Sequence, residues 1–262
     1  PTGEVGGIGT VTVESQGISA TTTATVIYKL THDPDDVPPS TKTGFEGATT
    51  PDPSLDILYP YDRTVFARAL KSPVMQWSGG ADTDIYHVEL SGNYFSFETW
   101  QTVPNPSRLV LPDAPIDVWT KLEEAIISGD IHVSYQRYDG TTFYAPIEHT
   151  WTLADASLTG AVYYWAVNEG DVLRLPVGAD EPETFLEKPP VAEGTQCIAC
   201  HSVSSDGSTI VASMYGSQSP WGTWNAEDGA KIFLSGEDFG GVYYPADASG
   251  FQAISPEGAY VV

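Results

Sequence analysis

Basic residues are scarce in this 262-residue chain: 11 Lys and Arg stand against 35 Asp and Glu, a formal net charge of −24. A field of that sign repels nucleic acid and anionic lipid, and attracts cationic partners or divalent ions. Cysteine is scarcer still, with two in all. Two thiols cannot build a multi-bridge disulfide scaffold, and no second cysteine pair completes a zinc site of two C-x-x-C halves. Long apolar runs are missing, so no segment reaches the ~20 residues of a spanning helix, and no membrane span is expected. A P-loop, a dinucleotide fingerprint and a nucleophile elbow are also absent, which removes the commonest sequence grounds for a nucleotide-binding or hydrolase reading. Only 18% of residues are charged, so Thr, Ser, Asn, Gln, Gly and Tyr must finish much of the surface. That composition suits a secreted β protein, and the chain beginning at Pro1 reads as a mature or trimmed form.

Strand signals fill the chain. Thr10-Val11-Thr12-Val13 and Thr21 to Tyr28 form a β-branched pair, and residues 32–56, with Pro34, Pro38, Pro39, Pro51 and Pro53, read as an irregular linker. Between 55 and 156, strands are expected around Trp77, Tyr86, Phe95, Leu109, Tyr135 and Trp151, punctuated by Gly, Pro, Asn and Asp. One helix is predicted over 116–128, where Val118, Leu122, Ala125 and Ile126 share a face and Gly129 closes the end. After residue 157, Gly160–Val177 reads as a hairpin. Ser204-Ser205-Asp206-Gly207 returns 51 residues later as Ser255-Pro256-Glu257-Gly258, and Trp224 to Ile232 between the copies has the pattern of an outer-strand turn in a propeller blade. The expected architecture is all-β in three parts: N-terminal strands and linker (1–54), an immunoglobulin-like sandwich (55–156), and propeller-like, incomplete blades (157–262).

Both cysteines lie in Cys197-Ile198-Ala199-Cys200-His201. C-x-x-C-H is the attachment pattern of a c-type haem, whose two vinyl groups take the thiols while the imidazole approaches the iron. A redox dithiol, a metal site and a plain disulfide are the competing readings of the same residues. The Trp77, Tyr86 and Tyr135 strands resemble an immunoglobulin or fibronectin type III domain. The S-x-D-G turns resemble the repeats of TolB-like and WD40-like propellers, and C-x-x-C-H followed by Ser-Val-Ser-x-Asp-Gly resembles haem-bearing members of that group. The resemblance covers roughly the last 100 residues. It departs at Ser205, where proline is usual, and at Glu257, where aspartate is, and the sequence stops at Val262 inside a blade strand. The expectation is therefore a longer parent protein.

The resemblance implies one covalent haem c held by Cys197, Cys200 and His201, with Met214 as a candidate second iron ligand or else a core side chain. It implies a periplasmic or extracellular electron carrier rather than a catalyst, exchanging single electrons with a redox protein or neighbouring haem. A peroxidase-like haem enzyme and a surface-assembly or binding protein are the rival roles. Among the histidines, His149 is expected to point inward and His87 and His132 outward, while His32 lies in the acidic Pro-rich stretch. Trp221, Trp224, Tyr243 and Tyr244 are candidates to line a porphyrin or simply to pack strands. Asp33, Asp35 and Asp36, and Asp82 and Asp84, offer oxygen atoms to calcium but follow no EF-hand loop, so solvated loops are the better reading.

Overall fold

The computed structural model describes residues 5–126, 129–188, 197–214, 220–235 and 252–261. Strands dominate, which places the protein in the all-β class, and the chain divides into two compact units, residues 1–158 and 159–262. Among the described residues no helix is long and apolar enough to cross a membrane.

The first unit opens with a ribbon of β1 (Gly7–Ser15) and β2 (Ile18–Val26). Gln16 and Gly17 both have positive φ, +49° and +79°, so the two-residue turn is of the primed kind whose twist suits a hairpin. There follow β3 (Tyr28–His32), α1 (Pro39–Gly44), β4 (Asp56–Tyr59), β5 (Val65–Arg68), β6 (Met75–Ser78), β7 (Ile85–Gly92) and β8 (Phe95–Thr102). The unit ends with β9 (Ser107–Leu109), α2 (Val118–Ala125), β10 (Gly129–Tyr138) and β11 (Ile147–Ser157). They form a six-stranded sheet, β3-β8-β7-β10-β11-β5, and a three-stranded sheet, β4-β6-β9. Period-two alternation decides the inner face: Val88 and Leu90, Phe95 and Phe97, and Val133 and Tyr135 are buried, with half-buried residues between them. Trp77 of the small sheet meets Tyr86 at 4.9 Å and Tyr135 at 6.1 Å, so one core joins both sheets as in a sandwich.

Three features of this unit differ from the sequence expectation. The outermost pairs of the large sheet, β3 with β8 and β11 with β5, are parallel, because strand direction is a property of the chain's return path and leaves no local signature. The stretch expected to be an irregular linker contains α1 and contributes Val37 and Phe45 to a small core around Trp100. Pro39 opens that helix at a position where no N–H is needed, and Asp33 ties its approach by accepting the Val37 N–H at 2.9 Å and pairing with Lys42 at 2.5 Å. Helix α2 does form, capped by Asp117, whose Oδ1 accepts the Thr120 N–H at 3.0 Å, and it buries Val118, Trp119, Leu122 and Ala125. It ends at Ala125, and Gly129 starts β10 instead of closing the helix, while the predicted end at 127–128 lies outside the described residues.

In the second unit β12 (Ala161–Ala166), β13 (Asp171–Pro176) and β14 (Glu183–Leu186) make a three-stranded antiparallel sheet. β15 (Ile198–Val203), β16 (Thr209–Met214), β17 (Trp221–Asn225) and β18 (Lys231–Leu234) make a four-stranded meander in sequence order. The hairpin expected over Gly160–Val177 is present as β12–β13, and β17 pairs antiparallel with β18 across the turn at Ala226–Asp228. The echoed turns share one geometry: the N–H groups of Gly207 and Gly258 each donate to the serine carbonyl three residues back, and the two glycines have φ of +72° and +73°. Trp224 sits in the core of this unit and Trp221 packs on Phe233 at 5.1 Å, so strand packing accounts for both; Tyr243 and Tyr244 lie outside the described residues, as does Val262.

Candidate functional site

Cys197 precedes β15 and Cys200 lies within it, both thiols free and half-buried. The ladder runs Ile198↔Met214 and Ala199↔Ser213, breaks, and resumes at Ser202↔Val211, so Cys200 and His201 together oppose Ala212. That is a β-bulge, and Cys200 takes its left-handed position at φ +50°, where glycine is the usual occupant. Burial pushes the Cys197 thiol up, and the Cys200 sulfur adds to the shift. The His201 Nε2 lies 3.1 Å from the carbonyl oxygen of Tyr163. A carbonyl only accepts, so Nε2 carries the proton and offers no lone pair to a metal. Met214 pairs with Ile198 and packs against the core of its unit.

The other sequence candidates are largely engaged by protein donors. Asp35 accepts from the backbone N–H and hydroxyl of Thr102, Asp82 accepts the Asn105 N–H, and Asp84 is paired with Arg137. His32 contacts the Thr99 hydroxyl at 3.3 Å, His132 is exposed, and His149 is half-buried with its ring against Tyr135. His87 departs from its expected exposure. It lies in the wall of a cavity of about 620 Å³ on the face of the large sheet turned away from the sandwich core.

Strand register builds this cavity in two rows. One row crosses the sheet as Trp100, His87 and Gln136, on β8, β7 and β10. The next row, two residues along each strand, runs Glu98, Glu89, Ser134 and Glu148, reaching β11. Residues α1 to Ala48 cover it, with Phe45 packed on His87 at 5.4 Å. Trp100, 8% exposed, stacks on His87 with ring centres 4.8 Å apart, and the Lys42 ammonium lies 4.7 Å from the indole centre. Gln136 fixes the histidine tautomer. Its Nε2 donates to the carbonyls of Phe45 and Tyr144, so its Oε1 faces His87 Nδ1 at 3.2 Å and accepts that proton. With Nδ1 so engaged, the other ring nitrogen, Nε2, is buried and without a hydrogen-bond partner, 3.8 Å from Glu98. The indole Nε1 of Trp100 is likewise buried and without a partner. A buried polar atom left in this state costs about 1–3 kcal/mol unless something from outside the chain completes it.

Comparisons with protein-family models, with curated proteins and with solved structures find no match to this chain. The resemblance to c-type cytochromes within TolB-like and WD40-like propellers, preceded by an immunoglobulin-like domain, is corrected accordingly. Among the described residues no three of His, Cys, Asp and Glu come together as a metal-holding group, and the chain's two cysteines stand three apart. The engaged His201 Nε2 does not fit haem ligation. The cavity was not legible from sequence, because its two rows draw on four strands whose register no local pattern reveals. The one local signal was the polar alternation of His87 and Glu89 with Val88 and Leu90, which reads equally as a solvated face.

Proposed function

We propose that the first unit is a small-ligand binding module, with the cavity over β7, β8, β10 and β11 as its site. The observation that carries this reading is the pair of buried, unpartnered polar atoms in one wall, His87 Nε2 and Trp100 Nε1. A volume of about 620 Å³ falls within the range typical of small-molecule sites, and apolar and polar groups converge there as such sites require. Phe45 and Trp100 supply the apolar wall, and Gln136, held on two carbonyls, is a rigid support behind the imidazole.

The test is a fragment screen on the full chain followed by amide chemical-shift mapping. Hits are expected to perturb amides in the 42–48, 87–100 and 134–148 segments together. A screen whose hits leave those segments unmoved, or that finds none, overturns the reading.

A further inference from the structure

Resting on that binding reading, we infer that the ligand is an organic cation with N–H donors, an ammonium or guanidinium group, set over the Glu89–Glu98 pair. These two glutamates are direct cross-strand partners on one face, and Glu148 stands in the same row beyond Ser134. Like charges placed directly opposite on a sheet destabilise it, so the row carries a standing cost that a bound cation removes. Four carboxylates line the cavity, from Glu46, Glu89, Glu98 and Glu148, against the single ammonium of Lys42, which Asp33 already neutralises at 2.5 Å.

Hydrogen-bond polarity points the same way as charge. The row presents carboxylate oxygens, which only accept, so the floor asks its ligand to donate. Among the described side chains lining the cavity, the Trp100 indole N–H is a buried donor without a partner, which calls for an acceptor atom elsewhere on the same ligand. A bare metal ion satisfies neither the indole nor the size of the cavity, and the described carboxylates do not converge as a metal-holding group. The net charge of −24 concentrates cations near the surface before they bind, a contribution that salt screens.

Titration calorimetry of the full chain with agmatine, putrescine, tetramethylammonium, calcium chloride and a neutral fragment from the screen tests this. Agmatine or putrescine is expected to bind saturably, about tenfold or more weaker in Glu89→Gln and in Glu98→Gln, with tetramethylammonium, which has charge but no N–H, much weaker. Circular dichroism and thermal unfolding confirm that both variants are folded. Neutral fragments that bind the cavity equally well in wild type and Glu89→Gln, with no amine binding, overturn the cation inference and leave the binding module standing. Calcium displacing agmatine from the same amides assigns a metal instead and overturns it too. Absence of any ligand at these amides overturns both readings.

Discussion

Removing the Arg137 guanidinium should unfold the first unit more readily than any other single charge change there. Its side chain is 6% exposed and forks onto Asp52, Nε to Oδ2 at 2.7 Å and Nη2 to Oδ1 at 3.0 Å, while Nη1 reaches Asp84 Oδ2 at 2.6 Å. Ser54 Oγ accepts from Nη2 at 2.9 Å, and the guanidinium lies 4.4 Å from the centre of the Tyr144 ring. The carboxylates are as buried as the arginine, at 1% and 4% side-chain exposure. Arg137→Met keeps much of the volume but leaves two desolvated anions near each other. Breaking a buried pair from one side costs about 3–5 kcal/mol. For a unit of this size, about 2–4 °C per kcal/mol, the calorimetric transition should fall by roughly 6–20 °C. Adding Asp52→Asn and Asp84→Asn should restore most of the loss, since the cost is the unpaired charge and not the missing contact. The gap between wild type and Arg137→Met should also narrow as pH falls, because Asp52 without the guanidinium takes up its proton at a higher pH than the wild-type carboxyl that Arg137 holds down. A shift under 2 °C at neutral pH, or a triple variant no better than the single one, refutes the argument.

Further outcomes follow from the same structure. Cys200 occupies a left-handed bulge position at φ +50°, so Cys200→Gly should be neutral or stabilising by up to about 1 kcal/mol, whereas Cys200→Val should destabilise; urea unfolding of the second unit decides, and equal effects would deny the strain. Burial raises the Asp52 carboxyl, but the Arg137, Ser54 N–H and Ser54 hydroxyl hydrogen bonds outweigh it and hold it below the ordinary range. Its folded value being depressed, its contribution is present above the unfolded value near pH 4 and lost as pH falls through the folded one, so stability measured from pH 6 to pH 2 should decline mainly below pH 4. A decline complete by pH 5 would assign acid sensitivity to other groups. The two thiols should titrate as two per denatured chain, with Cys197 slow in the native protein near neutral pH and faster as pH rises, because burial raises it and the thiolate is the reactive form. Fewer than two in the denatured chain would show that a thiol is covalently engaged and refute the assignment of both cysteines as free.

Much of the fold was legible in local pattern. Turn residues marked where strands end, as at Asp206-Gly207 and its echo at Glu257-Gly258, and alternation marked which side of β7 and β8 is buried. Helix α2 was visible because Val118, Leu122 and Ala125 recur at helical spacing, and α1 was hidden because six residues give no period to read. The motif at Cys197–His201 was equally visible, yet five residues state only what chemistry they would permit. The His201 Nε2 was already committed to Tyr163, 38 positions earlier, which no spacing rule conveys.

By itself the sequence determined the all-β class, the acidic field and the places where the chain turns, since these depend on side-chain shape, charge and φ preference over a few residues. Tertiary structure alone decided which glutamates face one another. Glu89, Glu98 and Glu148 are scattered over 60 positions, and only the register of β8, β7, β10 and β11 sets them in one row. A slip of one residue in any of those strands would turn its member of the row into the core, so the site exists only where buried Val88, Phe97 and Val133 hold the register.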